Sequence, residues 1–192
     1  VDLLIGSTLT SSRTSAGSIA GYDHLSDALL TNRSAASSLV PLFQTMSEYR
    51  YSALFGRITY NYVDKYIVTT NIRRDGSSRF GDENKFKTFG SVACAWIFTQ
   101  ERIFANNKWL SFGKLTISYG TTGNDQVDDY NYFSLYSIQS ASNRVLYQGI
   151  QGLNPSGLPN PYLQWEKTTK LQGGITLGFW KDRLLFTTNY GI

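Results

Sequence analysis

Cysteine, histidine and methionine each occur once in the 192 residues, and proline only four times. One cysteine, Cys94, excludes an intrachain disulfide. It lies in the apolar run Val92-Ala93-Cys94-Ala95-Trp96 and reads as a small hydrophobe. The lone histidine, His24, belongs to a Gly-Tyr-Asp-His segment that reads as a loop, far in sequence from the thiol. A metal centre or a Cys/His nucleophile pair thus lacks its parts, and no metal or cofactor is expected. Phosphate-cradling glycine motifs are missing as well. The adjacent acids Asp82-Glu83 and Asp128-Asp129 suit solvated turns better than the spaced carboxylates of glycoside hydrolysis. The chain reads as a non-enzyme.

Long apolar runs are also absent. The longest, Val92 to Phe98, has seven residues, whereas a membrane-spanning helix needs roughly 18 or more. Charged residues make up 17% of the chain, with a net charge of +4. The basic side chains stand singly or in pairs such as Arg73-Arg74, which excludes a nucleic-acid footprint. No basic-then-apolar leader opens the chain, and Val1-Asp2-Leu3-Leu4 reads as the inside of a strand. A piece of a longer protein is expected.

What is abundant is aromatic and β-branched residues mixed with Ser and Thr, which favours strands. Alternation with period two recurs in segments of about ten residues. Leu54, Ile58, Tyr60 and Tyr62 share one face, and Arg57, Thr59 and Asn61 the other. After Val63-Asp64-Lys65 the pattern resumes, with Tyr66, Val68, Thr70 and Ile72 opposite Thr69, Asn71 and Arg73. That spacing predicts a hairpin with a very short turn. A second hairpin, through Lys181-Asp182-Arg183, joins the strand of Ile175 and Leu177 to that of Leu184 and Phe186. Further strands are expected at Val1 to Thr10, around Cys94, and around Ile117.

The connections are unequal. Those at 63–65 and 181–183 are minimal, while long loops are expected over about 12–48, 75–87 and 121–161. A helical stub is expected from Glu101 to Trp109. Within 121–161, Tyr132 to Ser137 and Val145 to Gln148 suit an extra hairpin. Short turns at one end, long loops at the other and two-faced ten-residue strands describe an outer-membrane β-barrel. Aromatics gather near the short turns (Tyr60, Tyr62 and Tyr66 at one, Phe179, Trp180 and Phe186 at the other), where a barrel meets the membrane interface. A soluble carbohydrate-binding β-sandwich would alternate in the same way and stands as the alternative. A β-rich glycosidase ranks third.

Several strings add to this. Phe55-Gly56-Arg57-Ile58-Thr59-Tyr60-Asn61-Tyr62-Val63-Asp64-Lys65-Tyr66 is followed by Arg73-Arg74-Asp75-Gly76-Ser77-Ser78-Arg79-Phe80-Gly81. Then come Phe89-Gly90-Ser91, Trp96, Trp109-Leu110-Ser111 and Ser118-Tyr119-Gly120-Thr121-Thr122-Gly123-Asn124-Asp125. The last runs from Asn160-Pro161-Tyr162 to Trp165-Glu166-Lys167-Thr168-Thr169. In order and spacing over residues 51–190 these resemble the SusC/RagA-type TonB-dependent transporters of the Bacteroidetes outer membrane. Gly90 replaces a frequent proline of that family, and Cys94 a small residue.

The resemblance implies an all-β antiparallel meander, about seven wall strands of a barrel of about 22. The plug domain, the segment gripped by TonB and the remaining strands would lie outside these residues. It further implies an active importer of oligosaccharides or peptides, energised through TonB and paired with a SusD-like lipoprotein. Substrate contacts are then expected among Tyr130, Tyr132, Tyr147, Gln148 and Gln151 in the long loops. Arg57, Asn71, Arg73, Lys114 and Gln172 are expected on the wall facing the lumen or plug. Asp75, Gly76 and Arg79 are assigned a structural role. Asp75-Gly76 is read as a tight turn, and Arg79 is expected to hold the rim through a carboxylate or loop carbonyls.

Overall fold

The computed structural model describes residues 1–104, 107, 109–138 and 146–192; the side chains of Arg33, Ile138, Leu146, Tyr147 and Gln151 lie outside that description. Seven strands form one sheet: β1 (Asp2–His24), β2 (Ala36–Tyr62), β3 (Tyr66–Ser77), β4 (Phe86–Trp96), β5 (Leu110–Asn124), β10 (Glu166–Phe179) and β11 (Leu184–Gly191). They are ordered β1-β2-β3-β4-β5-β10-β11, a meander whose one interruption is an insertion between β5 and β10. Among the described residues that insertion carries four short strands: β6 (Tyr136–Ile138), β7 (Leu146–Tyr147), β8 (Ile150–Gln151) and β9 (Leu153–Pro155). No helix among the described residues is long and apolar enough to cross a membrane, which says nothing of strands.

Period-two alternation is visible directly in β3, where every second residue from Tyr66 to Arg74 is exposed and those between are half-buried. Cross-strand pairing carries each face across the sheet. One row runs Tyr60–Val68–Cys94–Ile117–Gly173–Tyr190. The opposite face carries the row Arg57–Asn71–Ser91–Gly120–Lys170. On the aliphatic face Leu54, Ile58, Val68, Ile72 and Ile117 are 38–61% exposed, with no second layer over them among the described residues. Ile175 and Leu177 are half-buried. The only sheets besides the main one, among the described residues, are two-stranded pairs in the insertion.

The chain divides into two units, Val1–Leu9 with Tyr51–Ile192, and Thr10–Arg50. The second unit corrects the loop expected over 12–48. Its backbone is strand up to His24 and again from Ala36, joined by short 3₁₀ turns at Asp27–Leu29 and Arg33–Ala35. Arg13 donates to the Met46 sulfur (2.8 Å), Thr45 Oγ1 to the Ala16 carbonyl (3.5 Å) and Ser37 Oγ to that of Asp23 (2.9 Å). Most described residues of this arm are exposed and the half-buried ones follow no period of two, so the alternation that marks a strand is erased.

Other connections differ in detail. The described residues of the helix expected at Glu101 to Trp109 form turns, preceded by a 3₁₀ turn at Phe98–Gln100, where the Phe98 ring packs against Trp96 (5.8 Å) and Phe104 (5.4 Å). Residues 105, 106 and 108 of that expectation lie outside the described residues. In the insertion β6 pairs with β9 and β7 with β8, so among the described residues Tyr132 to Ser137 does not pair with Leu146 to Gln148. The inner turn is made by Gln148 and Gly149, both at positive φ, and Val145 lies outside the description. The short turn after β2 places Val63 and Asp64 at φ +53°, strained for a β-branched residue. The turn after β10 takes in Trp180 as well as 181–183.

Candidate functional site

The polar face of β2 to β10 and the rim above it form the site. Along the wall, Arg57 Nε donates to Asn71 Oδ1 (2.8 Å), and Asn71 Nδ2 to Ser91 Oγ (3.1 Å). Lys114 and Gln172 belong to the same face, opposite Thr176 and Ser118. Arg73 stands one row above Arg57. It donates Nε to Asp75 Oδ1 (2.6 Å) and a terminal nitrogen to the Tyr51 hydroxyl (2.5 Å), and lies 5.6 Å from the Phe55 ring. The five residues expected on one wall therefore share a face.

Asp75 and Gly76 do not turn the chain. Both lie inside β3, paired with Ala53 and Ser52 on one side and Lys87 and Phe86 on the other. Two-sided pairing and the Arg73 contact override the local Asp-Gly turn preference. A Cβ at position 76 would collide with the Phe86 ring, which is why glycine stands there. Arg79, in the turn after β3, reaches the insertion: Nε donates to Asp129 Oδ1 (2.9 Å) and another nitrogen to the Asp125 carbonyl (3.0 Å). Asp129 is thereby engaged in a structural ion pair.

Beside that ion pair sits a cluster that alternation did not reveal. Phe80, Phe89 and Trp165 are at most 5% exposed, with Tyr51, Val127 and Leu163 against them. The Trp165 ring lies 5.2 Å from Phe80 and 5.7 Å from Phe89, and its indole donates to the Lys85 carbonyl (3.2 Å). The β4–β5 ladder stops at Ser91↔Gly120. Beyond it the Thr121 hydroxyl bonds Gly90, and the Phe89 ring takes the space over Gly123, where a Cβ would clash. The sequence signal was the rarity of tryptophan beside a strand start at Glu166.

The loop candidates fall into two groups. Tyr130 and Tyr132 share a turn closed by Phe133 N–H to the Tyr130 carbonyl (2.9 Å). The Tyr132 ring lies against Phe133 at 4.0 Å, and burial, with Asp82 and Tyr130 nearby, pushes its hydroxyl pKa up. Gln148 tips the separate β7–β8 hairpin; Tyr147 and Gln151 form its backbone, with side chains outside the description.

At the opposite end the short connections are tied together. Glu101 accepts from the Tyr66 hydroxyl (2.9 Å) and from Lys65 Nζ (3.2 Å), and these hold its carboxyl below the usual range. Ser111 Oγ donates to Asp182 Oδ1 (2.7 Å), and the Trp109 and Trp180 rings lie 6.2 Å apart. An uncovered aliphatic face, a polar face opposite and aromatic-ringed short turns define a segment of an outer-membrane β-barrel wall.

No family model matches the chain. A TonB-dependent receptor of Formosa agariphila is 35% identical over 133 residues, covering 69% of this chain and 12% of the relative. The TonB-dependent receptor SusC of Bacteroides thetaiotaomicron is 33% identical over 133 residues, 68% of this chain and 13% of its own length. A solved structure titled as the RagAB peptide transporter superposes with a TM-score of 0.86 at 27% identity, over 98% of this chain and 21% of that one. The chain belongs to the SusC/RagA-type TonB-dependent receptors, as a stretch of their barrel wall. It spans about an eighth of the length of the curated relatives it matches.

Proposed function

We propose that these residues are wall and rim of an outer-membrane importer energised through TonB, taking up peptides or oligosaccharides. The match of wall and rim over 98% of the chain to a peptide transporter carries the reading. The aliphatic belt borders outer-membrane lipid. Arg57, Asn71, Arg73, Lys114 and Gln172 line the interior, against the plug domain or the passing substrate. Tyr130, Tyr132, Tyr147, Gln148 and Gln151 meet substrate, and a SusD-like lipoprotein closes the mouth above the rim. The plug and the TonB-gripped segment belong to the rest of the protein. A soluble carbohydrate-binding sandwich would cover the aliphatic face with a second layer, and none is present among the described residues.

Cells carrying the full-length protein should deplete a peptide or an oligosaccharide mixture from the medium only while TonB is present and the inner membrane energised. Uptake that survives deletion of TonB, or depletion of neither mixture, would overturn the proposal.

A further inference from the structure

We propose that a groove centred on Cys94 seats an acyl chain of a phospholipid bearing an aminophosphate headgroup, with Lys65 and Glu101 at the headgroup end. The inference rests on the barrel-wall reading. In the row Tyr60–Val68–Cys94–Ile117 the cysteine has the shortest side chain, flanked by two aliphatic ones. The shortfall opens a groove of about 280 Å³ lined chiefly by Tyr66, Val68, Cys94, Trp96, Leu115 and Ile117. Those side chains offer a hydrocarbon wall with almost no hydrogen-bonding capacity, which suits an alkyl chain and no polar solute.

The end of the groove is different. The Tyr66 hydroxyl donates to Glu101 Oε1 (2.9 Å), and Lys65 Nζ stands 3.2 Å from Oε2 of the same carboxylate. A cation and an anion adjoining an apolar channel match a lipid whose alkyl chain leads to a phosphate and then an amine. Lys65 faces the phosphate and Glu101 the ammonium. Tyr66 and Trp96 are the polar-tipped rings that settle at headgroup level, which sets the depth of the groove mouth.

The test uses the full-length protein extracted in mild detergent, with retained phosphatidylethanolamine counted by native mass spectrometry. Heat-resistant migration of the folded barrel is read on the same samples. Wild type should retain one phosphatidylethanolamine that Cys94→Trp, which fills the groove, loses. Lys65→Gln with Glu101→Gln should lower retention several-fold while the folded band is unchanged. If Cys94→Trp does not assemble, Cys94→Leu repeats the comparison with a smaller plug. Equal lipid retention in wild type and the filled variant overturns the proposal. So does a dimer that the filling substitution dissociates, because a second copy would then occupy the groove. A wild-type protein with no heat-resistant form fails the barrel reading itself; a normal barrel with no retained lipid fails the groove alone.

Discussion

Ile72 and Arg73 are consecutive in β3 and stand on opposite faces, so one substitution at each reports which face meets lipid. Ile72→Arg puts a charge where a side chain is 60% exposed on the aliphatic face, at a cost of about 2–4 kcal/mol at the bilayer midplane. The expected outcome is less heat-resistant barrel in outer-membrane preparations. Arg73→Gln should assemble nearly as wild type, because its face is already polar; equal damage from both would reverse the register. Trp165→Ala removes a ring packed on Phe80 and Phe89 and should destabilise the rim by about 3–5 kcal/mol. Faster proteolysis within 125–165 with an intact wall would report it. At this scale the wall residues were legible because alternation fixes facing. Asp75-Gly76 was misread because the partners of Asp75, Ala53 in β2 and Lys87 in β4, lie 22 and 12 residues away in the chain, beyond any local rule.

The short connection after β2 is held by an ionisable group, Glu101, and that gives it a pH dependence. Glu101 has its carboxyl lowered first by the Tyr66 hydroxyl and then by Lys65. A depressed carboxyl contributes stability above its unfolded value, about 4.3, and loses it as pH falls through the folded value. Hydrogen exchange at Ile97, whose N–H donates to the Lys65 carbonyl (2.8 Å), should therefore quicken below about pH 4, and Glu101→Gln should remove that step. Strands with one uncovered apolar and one polar face were readable within a few residues. The arms of β1 and β2 beyond Thr10 and before Arg50 were not, since Ser- and Thr-rich strands exposed on both faces carry no period. β1 and β2 have 23 and 27 residues, more than twice the 9–11 that span a bilayer.

For the molecule as a whole, the meander begins at β1 and finishes at β11, each paired on one side only within these residues. Unpaired backbone facing lipid costs several kcal/mol per group, so a wall is stable only when closed. Residues 1–192 expressed alone should yield no heat-resistant species in detergent, whereas the full-length protein should. A monomeric folded segment on size exclusion would contradict the wall reading. The class of the protein was legible because barrel walls impose one rule on every strand. Substrate identity was not, because the long loops, where substrate contacts are proposed, follow no such rule.

The Arg79–Asp129 pair and the Trp165 cluster fasten the insertion at its two ends, near Val127 and Leu163. Chain between two fixed posts is cheap to lengthen: doubling it costs only about 0.6 kcal/mol in closure entropy. Evolution can therefore exchange the 130–162 stretch, in length as well as in composition, without renegotiating the wall that carries it. Lineages of such receptors should diversify there by insertion and deletion, while the two posts stay put.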